Sequence, residues 1–432
     1  MNLSIINMGC ISERAMEKNL ISKMNMSNIT RVNSLENSDY LLYITCSGVG
    51  DTIKDVLRDM QLLNIYSIKH DVKVIVVGCL VINHEYLFNM FKNNSNMKFI
   101  NDREWVIPVI NYISDLNKRN TYNEKLNNRF YSFDKNDVSA KFMLEEGCTN
   151  KCSFCKIHYN EKDKDIKSMP FELALEYLNN KINTGTRCIS LGGTNLTLYG
   201  LDLYGKKRLH EFIFELSKND NLDMIRIDEL VPGDMYDELL KEIINNPKIV
   251  STSIQLESAS DRLLKLMNRN YMLEEYDAYS KKIIDSGKYI STILMSGFPT
   301  ENIDDMNITI KYLSDRGIIP NGVCEYSDFK YIPSSNLAQL SKNEKRQHTL
   351  YLRNSTREIR YNIFLNNMSL QNKLIYICKS NGYHYFKCSI PMINIVSKKN
   401  IYDSLEPGVI IDETPKKLIK KSSITNDITY KI

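Results

Sequence analysis

Three cysteines lie within eight residues, in the segment GCTNKCSFCKI, as Cys148, Cys152 and Cys155. Thiolates are the natural ligands of iron–sulfur clusters, and cysteines this close in one loop can hold a cluster. Three ligands leave one iron of a four-iron cluster without a protein sulfur. A structural zinc ion that uses His158 as a fourth ligand is the alternative. We favour the cluster because the loop follows a predicted barrel strand, where a catalytic site belongs.

A second set of cysteines, Cys10, Cys46 and Cys79, is scattered along the chain. Each of them ends an apolar run of strand length, in LSIINMGC, DYLLYITC and VKVIVVGC. The carboxyl ends of parallel strands meet at one edge of a sheet, where ligands bind. The pattern therefore predicts that the three thiols converge in space, and three unrelated core cysteines are the alternative.

Composition limits the class of protein. The chain has 432 residues, enough for two or three domains, and 56 Lys plus Arg against 52 Asp plus Glu give a net charge of +4. This balance excludes a polyanion-coating protein. No apolar run reaches the roughly 18 residues that a membrane helix needs. Ten cysteines in a chain with no visible export signal indicate a reducing compartment, so we expect a cytoplasmic protein without a membrane partner.

The hydrophobic pattern predicts an α/β protein in three parts. Residues 1–115 alternate strands with helices, which implies an open parallel sheet. Residues 116–138 are polar and are predicted to be a linker. Residues 139–366 hold six further strand–helix units, which suit a partial (β/α)6 barrel followed by a helix. Residues 371–432 show short strands with turn signals and are predicted to form a small β-barrel. The six barrel strands are expected in AKFMLEEG, RCISLGG, DMIRIDEL, IVSTSIQL, YISTILMS and GVCEYS.

The CxxxCxxC loop at the first strand of a partial barrel resembles the radical S-adenosylmethionine superfamily. That resemblance implies that S-adenosylmethionine binds the open iron and that its reductive cleavage yields a radical able to abstract hydrogen from an unactivated carbon. A glycine pair follows the second barrel strand, where the backbone can approach a ligand closely; a tight turn without a ligand is the alternative. The resemblance assigns cofactor contacts to Gly192, Gly193, Thr194, Glu229, Glu257 and Ser258.

The preceding domain, with its three strand-end cysteines, is similar to that of the methylthiotransferases. Within that family, the segments MIRIDELVP and YSDFKYIPSSNLAQL are most similar to the branch that modifies an aspartate of a ribosomal protein. The resemblance implies two four-iron clusters, one on each cysteine triad, and a C-terminal TRAM-like β-barrel that contacts the substrate. It also implies a polypeptide substrate, an external electron donor and insertion of a methylthio group at an unactivated C–H bond.

The chain departs from the family pattern at three places. Ile11-Ser12-Glu13 replaces an Asn-containing motif after Cys10, and NEKDKDIKSMP replaces an arginine-rich run after the cysteine loop. Glu257 stands where the family has glutamine. These positions are near the expected substrate entrance, so a peptide other than the ribosomal protein is an alternative substrate.

Two other functions are alternatives for this sequence. A transfer RNA adenosine methylthiotransferase should have an arginine-rich face, because arginine fits phosphate bidentately. Residues 371–432 hold ten lysines and no arginine, with Lys416, Lys417, Lys420 and Lys421 clustered, which favours a polypeptide. A non-catalytic iron–sulfur protein is the second alternative, but an electron carrier has no need of a six-unit barrel.

Overall fold

The computed structural model describes residues 1–9, 11–24, 27–46, 50–83, 85–91, 93–114, 126–134, 136–159, 165–367, 372–391, 393–413, 417–421 and 428–431. The chain forms two compact units, Met1–Tyr131 and Ser132–Ile432. Within the described ranges, no helix is both long and apolar enough to cross a membrane.

The first unit is built on a parallel sheet with strand order β2-β1-β3-β4-β5, which confirms the expected open α/β sheet. Its strands are β1 (Asn2–Asn7), β2 (Thr30–Arg31), β3 (Tyr40–Thr45), β4 (Lys73–Gly78) and β5 (Met97–Phe99). Its helices are α1 (Ile11–Met24), α2 (Gly50–His70), α3 (Cys79–Asn83) and α4 (Val106–Ser114).

Both faces of this sheet are buried. Side chains alternate between the faces of a strand, so Leu42 packs with Trp105 against α1 and α4, whereas Leu41 packs with Phe88 against α2 and α3. This two-sided burial explains why β3 and β4 are almost continuously apolar. The layered packing fixes the carboxyl ends of β1, β3 and β4 at one edge.

A seven-stranded sheet, of which β7 to β14 belong to the second unit, has the strand order β14-β13-β12-β11-β10-β7-β6. Its strands are β6 (Phe130–Ser132), β7 (Ser139–Met143), β10 (Cys188–Gly192), β11 (Met224–Leu230), β12 (Ile249–Ile254), β13 (Tyr289–Ser296) and β14 (Ile319–Glu325). From β7 to β14 every neighbouring pair is parallel. All six expected barrel strands are present, which confirms the partial barrel.

Helices connect these strands, and a short antiparallel pair, β8 (Glu145–Glu146) and β9 (Lys167–Ser168), flanks the cysteine loop. The helices are α5 (Lys156–Tyr159), α6 (Phe171–Asn183), α7 (Leu201–Tyr204), α8 (Leu209–Ser217), α9 (Asp237–Asn245), α10 (Asp261–Leu266), α11 (Leu273–Asp285), α12 (Ile303–Arg316) and α13 (Lys342–Asn367).

Within the segment expected as a linker, 116–138, residues Phe130–Ser132 form β6, which extends the barrel sheet. This strand has three residues, too few for its alternating burial to emerge from polar surroundings. Residues 116–125 and 135, which belong to the same expected linker, lie outside the described residues.

The C-terminal part forms a six-stranded sheet with order β18-β15-β16-β17-β20-β19. Its strands are β15 (Asn372–Ser380), β16 (Tyr383–Lys387), β17 (Ile393–Ser397), β18 (Ile410–Glu413), β19 (Lys417–Lys421) and β20 (Ile428–Lys431). Pairing is antiparallel except between β17 and β20. The expected small β-module is therefore present. Lys416 and the side chains of Lys417, Lys420 and Lys421 lie outside the described residues.

This C-terminal sheet packs on one end of the barrel. Ile375 and Ile377 share a buried apolar cluster with Val138, Cys188 and Met224, which stand at the starts of β7, β10 and β11. The module therefore covers the amino ends of the barrel strands, whereas the cysteine loop follows the carboxyl end of β7.

Candidate active site

The loop that carries Cys148, Cys152 and Cys155 is anchored through Ser153. The Ser153 amide donates to the Met267 carbonyl at 2.8 Å, and the Ser153 carbonyl accepts from both the amide and the hydroxyl of Ser334, at 3.0 and 2.8 Å. These bonds fix the loop to segments that follow β12 and β14, so its cysteines are held by the barrel.

Burial makes Cys148 and Cys155 unfavourable as free thiolates, because it raises the pKa of each thiol. The pKa of Cys148 is raised to about 11, first by burial and further by Cys152 and Cys155, while hydrogen bonds from Asn150 and Asn195 lower it. Burial likewise raises the pKa of Cys155. A bound cationic group offsets this cost because it supplies the missing positive charge, so the donor set fits an iron–sulfur cluster.

The zinc alternative fits less well. A single zinc ion needs its ligands to converge on one point. In the described part of the chain, no three His, Cys, Asp or Glu side chains are grouped in that way. A four-iron cluster does not demand such convergence because each thiolate binds a different iron.

Two side chains donate hydrogen bonds to cysteine sulfurs. Asn195 Nδ2 lies 3.7 Å from Cys148 Sγ, and Arg269 Nη1 lies 3.2 Å from Cys152 Sγ. Asn195 Nδ2 is held by Asp234 Oδ2 at 2.7 Å. The loop thiols thus meet one neutral and one cationic donor.

The glycine pair at the end of β10 has no space for side chains. A Cβ on Gly192 would collide with Lys141 Cε, and one on Gly193 would lie 2.5 Å from Glu145 Oε2. Glu145 Oε2 accepts from the Thr194 amide at 2.9 Å, and Thr194 Oγ1 accepts from the Gly147 amide at 3.2 Å. The expected contacts Gly192, Gly193 and Thr194 therefore lie directly beside the cysteine loop.

An ion-pair cluster lies inside the barrel next to these glycines. Lys141 Nζ lies 2.7 Å from Glu229 Oε1 and 3.2 Å from Asp228 Oδ2. Burial raises the pKa of Glu229 to about 7 and Asp228 adds to it, although Lys141 lowers it. One cation thus serves two carboxylates. The expected contact Glu229 is brought to the glycine pair.

The structure separates the two residues expected at the end of β12. Glu257 lies close enough to Cys155 and Arg269 to affect their pKa values, and burial raises its own pKa. Ser258 Oγ instead contacts Thr309 Oγ1 on α12 at 3.2 Å, and Ser258 is buried there. The structure thus brings Glu257 to the cysteines and places the Ser258 hydroxyl against α12.

The second expected site lies at the carboxyl edge of the first unit's sheet. Cys46 and Cys79 directly follow β3 and β4, and Cys79 Sγ donates to the Thr45 carbonyl at 3.8 Å. Glu13 is buried near Cys79, and its carboxylate accepts from Trp105 Nε1 at 2.8 Å. Cys46 and Cys79 thus lie at the ends of neighbouring strands, whereas Cys10 lies outside the described residues, so the convergence of all three thiols stays a prediction.

Several site residues were not predicted from the sequence. Lys141 and Glu145 interrupt an otherwise apolar strand segment, and a charged residue inside such a run is a signal that sequence analysis can use. Arg269 and Asn195 lie in polar loops, where their types and spacing carry no comparable signal. Only the fold brings them to the thiols.

Two family models match the chain. Residues 144–313 match the Radical SAM superfamily, and residues 2–100 match the Uncharacterized protein family UPF0004. The first range contains the cysteine loop and the glycine pair, and the second contains all three strand-end cysteines.

Curated relatives match along most of the chain. A protein of Clostridium acetobutylicum named ribosomal protein uS12 methylthiotransferase RimO is 26% identical over 76% of this chain and 75% of its own. A protein of the same name from Clostridium novyi (strain NT) is 25% identical over 95% of this chain and 98% of its own. The similarity therefore covers both units and not the barrel alone.

Solved structures share the fold. The radical S-adenosylmethionine methyltransferase TsrM from Kitasatospora setae superposes with a TM-score of 0.52 at 9% identity, over 77% of this chain and 73% of that one. The cobalamin-dependent radical enzyme OxsB gives 0.51 at 11% identity, and this chain spans 56% of its length. With both family models and these relatives, the chain belongs to the radical S-adenosylmethionine superfamily and, within it, to the methylthiotransferases.

Proposed function

We propose that this enzyme inserts a methylthio group at an unactivated C–H bond of a polypeptide, with ribosomal protein uS12 as the first substrate to test. The observation that carries the proposal is the pair of thiol sites, one in the barrel loop and one at the edge of the first unit's sheet. The names of the relatives supply the candidate substrate.

The cofactors of this family are S-adenosylmethionine and four-iron clusters. In this proposal, Cys148, Cys152 and Cys155 hold the barrel cluster. When bound, the cluster and S-adenosylmethionine supply a radical that abstracts hydrogen from carbon. In this proposal, Gly192 and Gly193 let the backbone approach the cofactor closely.

Cys10, Cys46 and Cys79 are proposed to hold the second cluster. Residues 1–115 then form the auxiliary-cluster domain, and residues 139–366 form the catalytic barrel. The convergence of Cys46 and Cys79 beyond β3 and β4 supports this assignment. An external electron donor completes the system, and the cytoplasm is the proposed compartment because ribosomal substrates and reduced thiols are found there.

A polypeptide is favoured over transfer RNA as the substrate. Residues 371–432 carry lysine without arginine, and lysine is a point charge that suits exposed carboxylates. A transfer RNA adenosine is the second candidate, and it requires tight binding that weakens steeply with salt. A fluorescence-anisotropy titration of transfer RNA at two salt concentrations separates them; tight, salt-sensitive binding contradicts the polypeptide proposal.

Mass spectrometry identifies the substrate class directly. Protein uS12, other peptides and bulk transfer RNA are compared between cells with and without the enzyme. Replacing H by S–CH₃ adds about 46 Da. We expect this mass on a polypeptide only in cells that hold the enzyme. The same adduct on transfer RNA alone would refute the polypeptide proposal.

The two triads are tested separately. Anaerobically reconstituted protein should bind roughly eight irons, and Cys148→Ala/Cys152→Ala/Cys155→Ala should keep about half and lose cleavage of S-adenosylmethionine. Cys10→Ala/Cys46→Ala/Cys79→Ala should keep cleavage and lose the methylthio product. Cys188→Ala, which removes a buried core thiol, is the matched control and should keep both. Zinc in place of iron, or equal loss of cleavage in both triad variants, contradicts the assignment.

The non-catalytic alternative is tested by the same assay. An electron-transfer protein binds iron without cleaving S-adenosylmethionine. Cleavage by the wild-type chain under a strong reductant therefore supports the enzyme, and its complete absence in fully reconstituted protein supports the carrier.

A further inference from the structure

We infer that Arg269 raises the reduction potential of the barrel cluster by donating a charged hydrogen bond to Cys152 Sγ. The inference rests on the cluster proposed above for Cys148, Cys152 and Cys155. It gives Arg269 a positioning and tuning role toward a cluster ligand.

The contact has hydrogen-bond geometry for a sulfur acceptor. Arg269 Nη1 lies 3.2 Å from Cys152 Sγ, whereas the neutral Asn195 Nδ2 lies 3.7 Å from Cys148 Sγ. Cys152 is 7% exposed, so this sulfur is largely shielded from water. A charged donor to a shielded sulfur acts with little competition from solvent.

The guanidinium is held in place by the end of β12. Arg269 Nε donates to Tyr271 Oη at 3.2 Å, and Nη2 donates to the Gln255 carbonyl at 3.3 Å. Tyr271 Oη in turn donates to the carbonyls of Gln255 and Leu256, at 2.7 and 2.9 Å. The direction of Nη1 toward the sulfur is therefore set by fixed backbone groups and not by a free side chain.

Reduction of the cluster adds one electron from an external reductant and transfers no proton to Arg269. The added negative charge is stabilised by a nearby positive charge and by N–H donors to sulfur, so both raise the reduction potential. Glu257 is the carboxylate that faces Arg269, and its charge reduces the effect. Arginine stays protonated at every accessible pH, so the contribution of Arg269 should be the same at pH 7 and pH 9.

The test is a redox titration of the reconstituted full-length protein, followed by electron paramagnetic resonance. Arg269→Gln should lower the ratio of reduced to oxidised barrel cluster about tenfold at a fixed potential, which corresponds to about 59 mV for one electron. Arg269→Lys keeps the charge without the planar fork and should shift less. The cluster of the first unit is an internal reference and should keep its potential.

Tyr271→Phe covers the case in which Arg269→Gln fails to retain iron. It leaves the guanidinium in the protein and removes the hydroxyl that accepts from Nε. The ratio of reduced to oxidised barrel cluster should therefore also fall, by a smaller factor than in Arg269→Gln. The inference is overturned if Arg269→Gln with full iron shifts the ratio less than twofold, or if Arg269→Gln loses iron and Tyr271→Phe leaves the ratio unchanged. Wild-type protein that binds no iron would instead refute the proposed function.

Discussion

Lys141 Nζ lies 2.7 Å from Glu229 Oε1, and the lysine side chain passes over Gly192 to reach it. The two residues stand on β7 and β11, with β10 between them. A Cβ at position 192 would displace the end of the Lys141 side chain, so the present geometry of this ion pair depends on glycine at that position. Gly192 is also one of the residues predicted to contact the cofactor, so the same position matters for the ion pair and for the predicted cofactor site.

A double-mutant cycle tests this constraint. Gly192→Ala places a methyl group in steric conflict with Lys141 Cε, so the ion pair must shift and stability should fall by about 1–3 kcal/mol. In a Lys141→Ala background that contact is absent, and Gly192→Ala should cost less. Urea unfolding of the four proteins gives the coupling, which we expect at about 1 kcal/mol or more. If the stability changes of the two single variants simply add in the double variant, Lys141 does not limit which residue fits at position 192.

The raised pKa of Glu229 predicts a pH-dependent stability. Burial raises the pKa of the Glu229 carboxyl from 4.5 to about 7 on folding. The folded chain therefore binds more protons than the unfolded chain between pH 4.5 and pH 7. The stability from this group is fully present below pH 4.5 and is lost as the pH rises through 7. The free energy of unfolding of Glu229→Gln, measured relative to wild type, should therefore increase by about 1–2 kcal/mol when the pH is raised from 5 to 8. Glu238→Gln, at an exposed position, is the control; an equal gain there contradicts the prediction.

Thr300 stores backbone strain in the loop after β13. Its φ is 67°, and this conformation costs a non-glycine residue about 1–2 kcal/mol. That steric cost is larger than the entropic cost of placing glycine there, which is about 0.5–1 kcal/mol. Both Thr300→Gly and Thr300→Ala lose the 3.0 Å bond from Arg262 Nη1 to the hydroxyl. The glycine variant should therefore be the more stable of the two by about 1 kcal/mol. The unfolding temperatures of the two variants test this prediction. An alanine variant more stable than the glycine variant would show that the backbone at position 300 is not strained.

The sequence predicts the strands of both parallel sheets well, because burial on two faces makes each strand an apolar run with clear limits. The six barrel strands and the strand-end positions of Cys46 and Cys79 follow from that pattern. β2, β5 and β6 escape prediction since two or three residues are too few to show a period. The position of the C-terminal sheet at the amino ends of the barrel strands depends on tertiary packing alone.

The site was predicted only where spacing within one loop or at one strand end determines it. The triad of the barrel loop and the glycine pair are of this kind. Arg269 and Asn195 reach the sulfurs from loops that are distant in sequence, so no local pattern reveals them. Ser258 shows that sequence adjacency is not enough, because its hydroxyl contacts Thr309 although the preceding residue, Glu257, lies near the cysteines.

The C-terminal sheet should stabilise the barrel. Ile375 is fully buried in the cluster that contains Val138 and Met224. Ile375→Ala removes that contact and leaves a cavity, so the free energy of unfolding should fall by about 2–5 kcal/mol. Ile401→Ala, at a position that is 68% exposed in the same module, is the matched control and should change stability by less than about 0.5 kcal/mol. Equal effects would indicate that the module does not support the barrel.

Trp105 should report cluster binding in the first unit. It is the single tryptophan of the chain, it is buried, and its Nε1 donates to Glu13, which lies beside Cys79. An iron–sulfur cluster absorbs where tryptophan emits, so reconstitution should quench the emission. Cys46→Ala/Cys79→Ala should keep bright emission after the same treatment, while Cys188→Ala should be quenched like wild type. Equal quenching of the double variant, with its first-unit cluster shown to be absent by iron analysis, would place the quencher elsewhere and contradict the proposed second site.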